Sequence, residues 1–199
     1  MSAQVTEANP RHVFTVQFRI PGAGEDGGQA ERAYEDDRLH DVLLGVPSGS
    51  DGLFEADFER VAPRFADAVL SALTDLQDAF PEAELLRVKP DDLVTLSGIA
   101  ERTNRSHESV RLLAAGKRGP GGFPREASGI GAKTKVWRWH EVVDWLEGDM
   151  GAPVPEAENA QFLAMINDVL RLRRTAPRVI DNRRTGSAVA ALLPVELTA

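Results

Sequence analysis

Nine basic side chains fall between residues 95 and 140 (Arg102, Arg105, Arg111, Lys117, Arg118, Arg125, Lys133, Lys135 and Arg138) against three acids, Glu101, Glu108 and Glu126. Lysine and arginine at that density suit phosphate binding, since each neutralises a backbone charge and releases a counterion. The flanks have the opposite sign. Residues 1 to 94 hold eight basic and nineteen acidic side chains, residues 141 to 199 hold six and nine, and the whole chain is at −8. The overall balance therefore hides a local basic patch, which is the electrostatic footprint of a nucleic-acid binder.

A second constellation could do different chemistry. Glu55, Asp57 and Glu59 alternate along one face of an expected strand, and with His40 they could form a metal or acid/base site. The competing reading is a solvated sheet face. It is preferred because no second carboxylate cluster or histidine pair converges on them, and His12, His40, His107 and His140 lack ligand spacing. With no cysteine, a disulfide framework, a thiolate zinc site and cysteine nucleophile chemistry are excluded. No catalysis, cofactor or metal is expected.

The elements that would position the basic residues begin at Thr95, a good N-cap for a helix over Leu96 to Arg102 with Leu96, Ile99 and Ala100 inward. Thr103-Asn104-Arg105 then turns the chain, and Ser106 caps a second helix from His107 to about Ala115, anchored by Val110 and Leu113. Helix, three-residue turn, helix is the helix-turn-helix spacing, in which the second helix enters the major groove by its N-terminal end. On that geometry Ser106, His107, Glu108, Ser109 and Arg111 are the expected base contacts. Arg111 suits the N7 and O6 of guanine, and Glu108 suits a cytosine amino group. Phosphate contacts are expected from Arg105, Lys117, Arg118, Lys133, Lys135 and Arg138, the last three alternating on one side of a second wing strand.

The run from Leu93 to Leu146 holds LSGIAERTNRSHESVRLL, then GGFP, then VWRWHEVVDWL. It resembles the winged helix-turn-helix of MerR-like and phage-excisionase-like DNA-binding proteins, and more loosely actinobacterial DNA-binding proteins of this kind. Phe123-Pro124, Trp137-Arg138 and Trp145-Leu146 match the family's places. The resemblance implies a transcriptional regulator or architectural DNA binder whose aromatics are core residues rather than base-stacking platforms.

Upstream, residues 12 to 20 alternate as a half-buried strand with Phe14, Val16, Phe18 and Ile20 on one face. A turn at PGAGEDGG follows, which lacks the Gly-Lys-Ser/Thr that a phosphate cradle needs. A short helix over 30 to 39 turns Ala30, Ala33 and Tyr34 inward, and strands at Asp41–Val46 and Leu53–Val61 flank the loop PSGSDG. Phe65, Val69, Leu73, Leu76 and Phe80 recur at spacings of three and four, predicting an amphipathic helix that ends at Pro81. A last strand, Ala83 to Lys89, places Leu86 and Val88 on one face.

The order β-α-β-β-α-β is that of a ferredoxin-like sandwich. The sequence thus predicts an α+β protein. An acidic ferredoxin-like domain spans 11–90 and a winged helix-turn-helix 91–148. A linker follows at 149–158, then an amphipathic helix at 159–175 with Phe162, Ile166, Val169 and Leu170 at helical spacing, and a flexible arginine-bearing tail at 176–199. The expected partner is double-stranded DNA, read as a homodimer through the sandwich or the C-terminal helix, because one short recognition helix reads few bases. The alternative is an antitoxin-like module whose acidic domain binds a partner protein while DNA binding serves autoregulation. No stretch approaches the ~20 apolar residues of a membrane span, and a cytoplasmic location is expected.

Overall fold

The computed structural model describes residues 9–21, 28–45, 52–90, 92–128 and 133–179. It is a mixed α/β structure built on a four-stranded antiparallel sheet. The strands are β1 (Arg11–Arg19), β2 (Val42–Gly45), β3 (Leu53–Val61) and β4 (Glu84–Lys89), in the order β2-β3-β1-β4. Between them lie α1 (Gly28–Glu35), a 3-10 turn (Asp37–Leu39) and α2 (Phe65–Ala79).

Alternation along β1 and β3 builds the first core. The register sets Phe14 opposite Phe58 and Phe18 opposite Phe54, and each pair stacks with ring centroids 5.4 Å apart. The inward face of α2, with Val69, Ala72 and Leu76 wholly buried, covers these rings. Each fully buried phenylalanine or leucine here contributes about 1.5–3 kcal/mol. Arg60 also lies on this inward side and is 8% exposed. Its fork donates to Asp41 at 2.8 and 2.9 Å, to Asp75 at 2.7 Å, to Ser71 at 3.1 Å and to the Arg38 carbonyl at 3.1 Å, so the buried charge is fully partnered.

Two expectations change at the margins of this unit. The helix expected over 30–39 splits into α1 and the 3-10 turn, with Ala33 and Leu39 buried; the side chains of Ala30 and Tyr34 lie outside the described residues. In β4 the buried residues are Leu85 and Val88, not Leu86 and Val88. The cause is a register shift: Gln17 pairs with Arg87 and Phe18 with Leu85, so Leu86 is the extra residue of a bulge. Most of the two loops PGAGEDGG and PSGSDG lies outside the described residues.

The second unit comprises β5 (Leu93–Val94), α3 (Leu96–Arg102), α4 (His107–Ala114), β6 (Trp137–Arg138) and α5 (Trp139–Gly148). Its core joins Val94, Ile99, Val110, Leu113, Trp137, Val142, Val143, Trp145 and Leu146.

The last element, α6 (Ala157–Val179), belongs to both cores. Ala160 packs into the second, while Leu163, Ile166 and Leu170 pack into the first. The Asn167 side chain treats the edge strand β4 as a pairing partner. Its Nδ2 donates to the Val88 carbonyl at 2.9 Å and its Oδ1 accepts from the Val88 amide at 2.7 Å. The helix thereby covers a sheet edge that would otherwise present unpaired backbone groups.

The segment expected as a linker at 149–158 joins α5 to α6 and is packed. Val154 is 8% exposed, Ala152 N donates to the Leu146 carbonyl at 2.8 Å, and Val154 N donates to Glu147 Oε1 at 3.2 Å. The tail expected from 176 begins as the last turn of α6, and residues 180 onward lie outside the described residues. Among the described residues no helix is long and apolar enough to cross a membrane.

Candidate nucleic-acid interface

Local capping positions the two short helices. Thr95 Oγ1 accepts from Gly98 N at 3.2 Å at the start of α3, and Ser106 Oγ accepts from Ser109 N at 3.2 Å at the start of α4. Between them Asn104 adopts a left-handed φ of 50°, a conformation asparagine tolerates, and Arg105 N donates to the Ala100 carbonyl at 2.8 Å. Ile99 and Ala100 of α3, with Val110 and Leu113 of α4, then lock into the second core.

That anchoring leaves one arc of α4 facing outward. Ser106, His107, Glu108 and Arg111 are exposed, whereas Ser109 is half-buried. Glu108 and Arg111 form a two-pronged pair, Nε to Oε2 at 2.7 Å and Nη2 to Oε1 at 2.6 Å. The hydrogen bonds hold the Glu108 carboxyl below its ordinary range and raise the Arg111 guanidinium above its own. The guanidinium fork is therefore already occupied by a carboxylate.

Lys117 and Arg118 are exposed just after α4, and neither makes an ion pair among the described residues. The glycine-rich bend behind them is held by Trp145, whose Nε1 donates to the Gly121 carbonyl at 2.8 Å. Phe123 meets Trp145 edge-on at 5.0 Å and Trp137 at 6.3 Å. Gly119 is required here: its φ is 79°, and an added Cβ would lie 2.9 Å from Leu113 Cδ2.

Beyond the bend, Ala127 N donates to the Val136 carbonyl at 2.8 Å, closing the base of a loop whose tip, 129–132, lies outside the described residues. Lys133 and Lys135 are exposed beside this base, Lys135 pairing with Glu126 at 2.9 Å. Arg138 does not join them. It turns to Asp92 at 3.3 Å, on the strand β6 that pairs with β5 rather than with a wing partner. Positions 135 and 138 differ by an odd number, so in extended chain they fall on opposite faces, and the expected alternation of all three on one side fails. Arg105 is half-buried and lines a small cleft of about 120 Å³ with Pro153, Val154 and Pro155.

The residue that sequence reasoning missed is Asp92. Its Oδ1 accepts from the His140 backbone amide at 3.1 Å and lies 2.8 Å from His140 Nδ1, so it caps α5 from the residue just before β5. No local pattern could have revealed it, because its partners lie 46 and 48 residues away. Trp137 and Trp145 are buried, at 5% and 4%, while Trp139 is half-buried with the Arg102 guanidinium 5.1 Å from its ring.

The acidic residues of β3 are individually paired. Thr15 donates to Asp57 at 2.6 Å, Arg11 to Glu59 at 2.8 Å, and Lys89 to Glu55 at 2.7 Å, with Gln17 also bonded to Glu55. His40 Nδ1 is engaged with the Asp37 carbonyl at 2.8 Å. Among the described residues no group of three or more histidines and acids is placed to hold a metal ion. Compared with known protein families, curated proteins and solved structures, the chain matches none.

Proposed function

We propose that this chain is a sequence-specific double-stranded DNA-binding protein that acts as a dimeric transcriptional regulator. The observation that carries the reading is the outward arc of α4, His107, Glu108 and Arg111, together with the exposed cations Lys117 and Arg118 just after that helix and Lys133 and Lys135 at the base of the following loop. On this reading β5 to α5 form a winged helix-turn-helix: α4 lies in the major groove, and the lysines and Arg118 touch phosphates. The first unit is then a ferredoxin-like sandwich, since two interleaved β-α-β units produce the strand order β2-β3-β1-β4. The acidic sandwich faces away from the duplex, because its charge repels phosphate. The reading assigns the chain no catalysis and places it in the cytoplasm.

The test is fluorescence anisotropy of the full chain on the intergenic DNA beside its own gene, with random DNA as competitor and a salt titration. Salt-sensitive binding that survives the competitor is expected; no binding at low salt overturns the reading.

A second reading, an antitoxin-like module with a protein partner, draws on the open sheet face. Val13, Leu43 and Val61 are 68%, 63% and 58% exposed there, next to Asp57 and Glu59. An apolar patch edged by acids suits a basic protein. Co-purification of such a partner, lost on Leu43→Lys, would favour it.

A further inference from the structure

α6 has two opposite apolar faces, and the fold uses one of them. Ala160, Leu163, Ile166 and Leu170 are buried against the two cores, whereas Met165, Val169 and Leu172 are 55%, 51% and 38% exposed. These outward residues run 165, 169, 172, and the half-buried Ala176 continues the series, while Phe162 packs against Phe65 in the first core. Steps of three and four are the a/d spacing of a heptad, the period of a helix facing another helix along a shared seam. At 100° per residue Met165, Val169 and Leu172 lie roughly 100–180° around the helix from Leu163 and Leu170.

We infer that this stripe pairs, in parallel, with the same stripe of a second copy of this chain. Two features select that occupant and orientation. In the heptad frame Val169 holds an a position and Leu172 the following d, the combination that favours two parallel strands. The flanking charges agree. Asp168 falls at g and Arg173 at the next e, five residues on, so parallel pairing sets Asp168 of each copy against Arg173 of the other. Antiparallel pairing would set Asp168 against Asp168. Asp168 now holds Arg171 at 2.6 Å, with both side chains more than half exposed, and such a surface pair exchanges readily.

The inference deepens the dimeric reading above by naming its contact, and it is tested without DNA so that either can fail alone. The seam from Met165 to Ala176 is ~17 Å long, short for a stable interface, so association depends on concentration over a range of about 1–100 µM.

Sedimentation equilibrium of the full chain should show a monomer passing to a dimer over that range. Val169→Glu should remain monomeric with an unchanged melting temperature, because the residue is exposed in the protomer. The native chain has no cysteine, so Leu172→Cys, four residues from the point where antiparallel copies would cross, reports orientation directly. Parallel pairing brings the two introduced thiols together across the seam, giving a covalent dimer on mild oxidation, while Arg171→Cys, off the seam, should give none. Asp168→Arg and Arg173→Asp should each stay monomeric and re-form a dimer when mixed. A monomer throughout, or a dimer indifferent to Val169→Glu, overturns the inference, the second outcome moving the contact to another surface such as the open sheet face. A dimer with these properties that binds no DNA would leave the inference standing and remove the DNA-binding reading.

Discussion

Arg111 shares its guanidinium with Glu108, three residues before it on the same helix. If the guanidinium reads a guanine, Arg111→Ala should cost ~1–3 kcal/mol and relax preference at one base pair. Lys117→Ala should weaken every sequence alike and lower the salt slope by about one. Anisotropy on single-base variants of a selected site separates the two, and equal effects on every sequence would refute the assignment. Gly119 governs the bend beneath these residues. Gly119→Ala should destabilise the chain by about 1–2 kcal/mol or more in a thermal melt, since it demands a left-handed alanine and displaces Leu113. Arg60 sets the acid sensitivity of the sheet. Burial raises the Asp41 carboxyl, but the hydrogen bonds and charge of Arg60 outweigh it and hold the net value below the ordinary one. A depressed folded value means stability that is present above the unfolded carboxylate value of ~3.9 and lost as pH falls through the folded one. Arg60→Met should therefore cost about 3–5 kcal/mol at pH 7, by stranding Asp41 and Asp75, and should flatten the decline of stability below pH ~4. Urea denaturation across that range would check both; an unchanged acid limb would rule out the Arg60–Asp41 pair as its source.

At the scale of elements, Asn167 behaves as a one-residue strand laid on β4. Asn167→Leu should keep the helix but leave the Val88 amide and carbonyl unpaired, costing about 1–3 kcal/mol. Hydrogen exchange should accelerate at Val88 and leave Ile99 and Val110 unchanged; uniform acceleration would mean a global effect instead. This contact illustrates what the sequence could and could not reveal. The strand β1 was legible because Phe14, Val16 and Phe18 alternate, α2 because its apolar residues recur by three and four, and α3 and α4 because Thr95 and Ser106 sit where N-caps belong. Those signals are local. The bulge at Leu86 depends on a neighbouring strand, the Asp92 cap on a helix 48 residues away, and the Asn167 pairing on a strand 79 residues back. Periodicity does not encode partners at such separations. Pro and Gly content likewise suggested a linker at 149–158, and could not show that Val154 finds a pocket in the second core. In the candidate interface, the outward arc of α4 followed from helical spacing, while the diversion of Arg138 to Asp92 did not.

The whole molecule is two cores sharing one helix, with charge segregated between them: a basic segment at 95–140 within acidic flanks. The sharing means that the orientation of α4 against the sheet is set through α6, which touches the second core at Ala160 and the first from Leu163 onward. A cleft of about 350 Å³ remains at this junction, between Val13 and Phe65 on one side and Arg102 and Trp139 on the other. The shared helix also bears on how the chain is made. Synthesis runs from the N-terminus, so β4 is complete at Lys89 while Asn167 and Leu170 emerge roughly eighty residues later, about 4–16 s at ribosomal rates. Throughout that interval the sheet has its strands but not its border, and the nascent chain depends on other protection against pairing with its neighbours on the same messenger. The unit made first is the unit finished last.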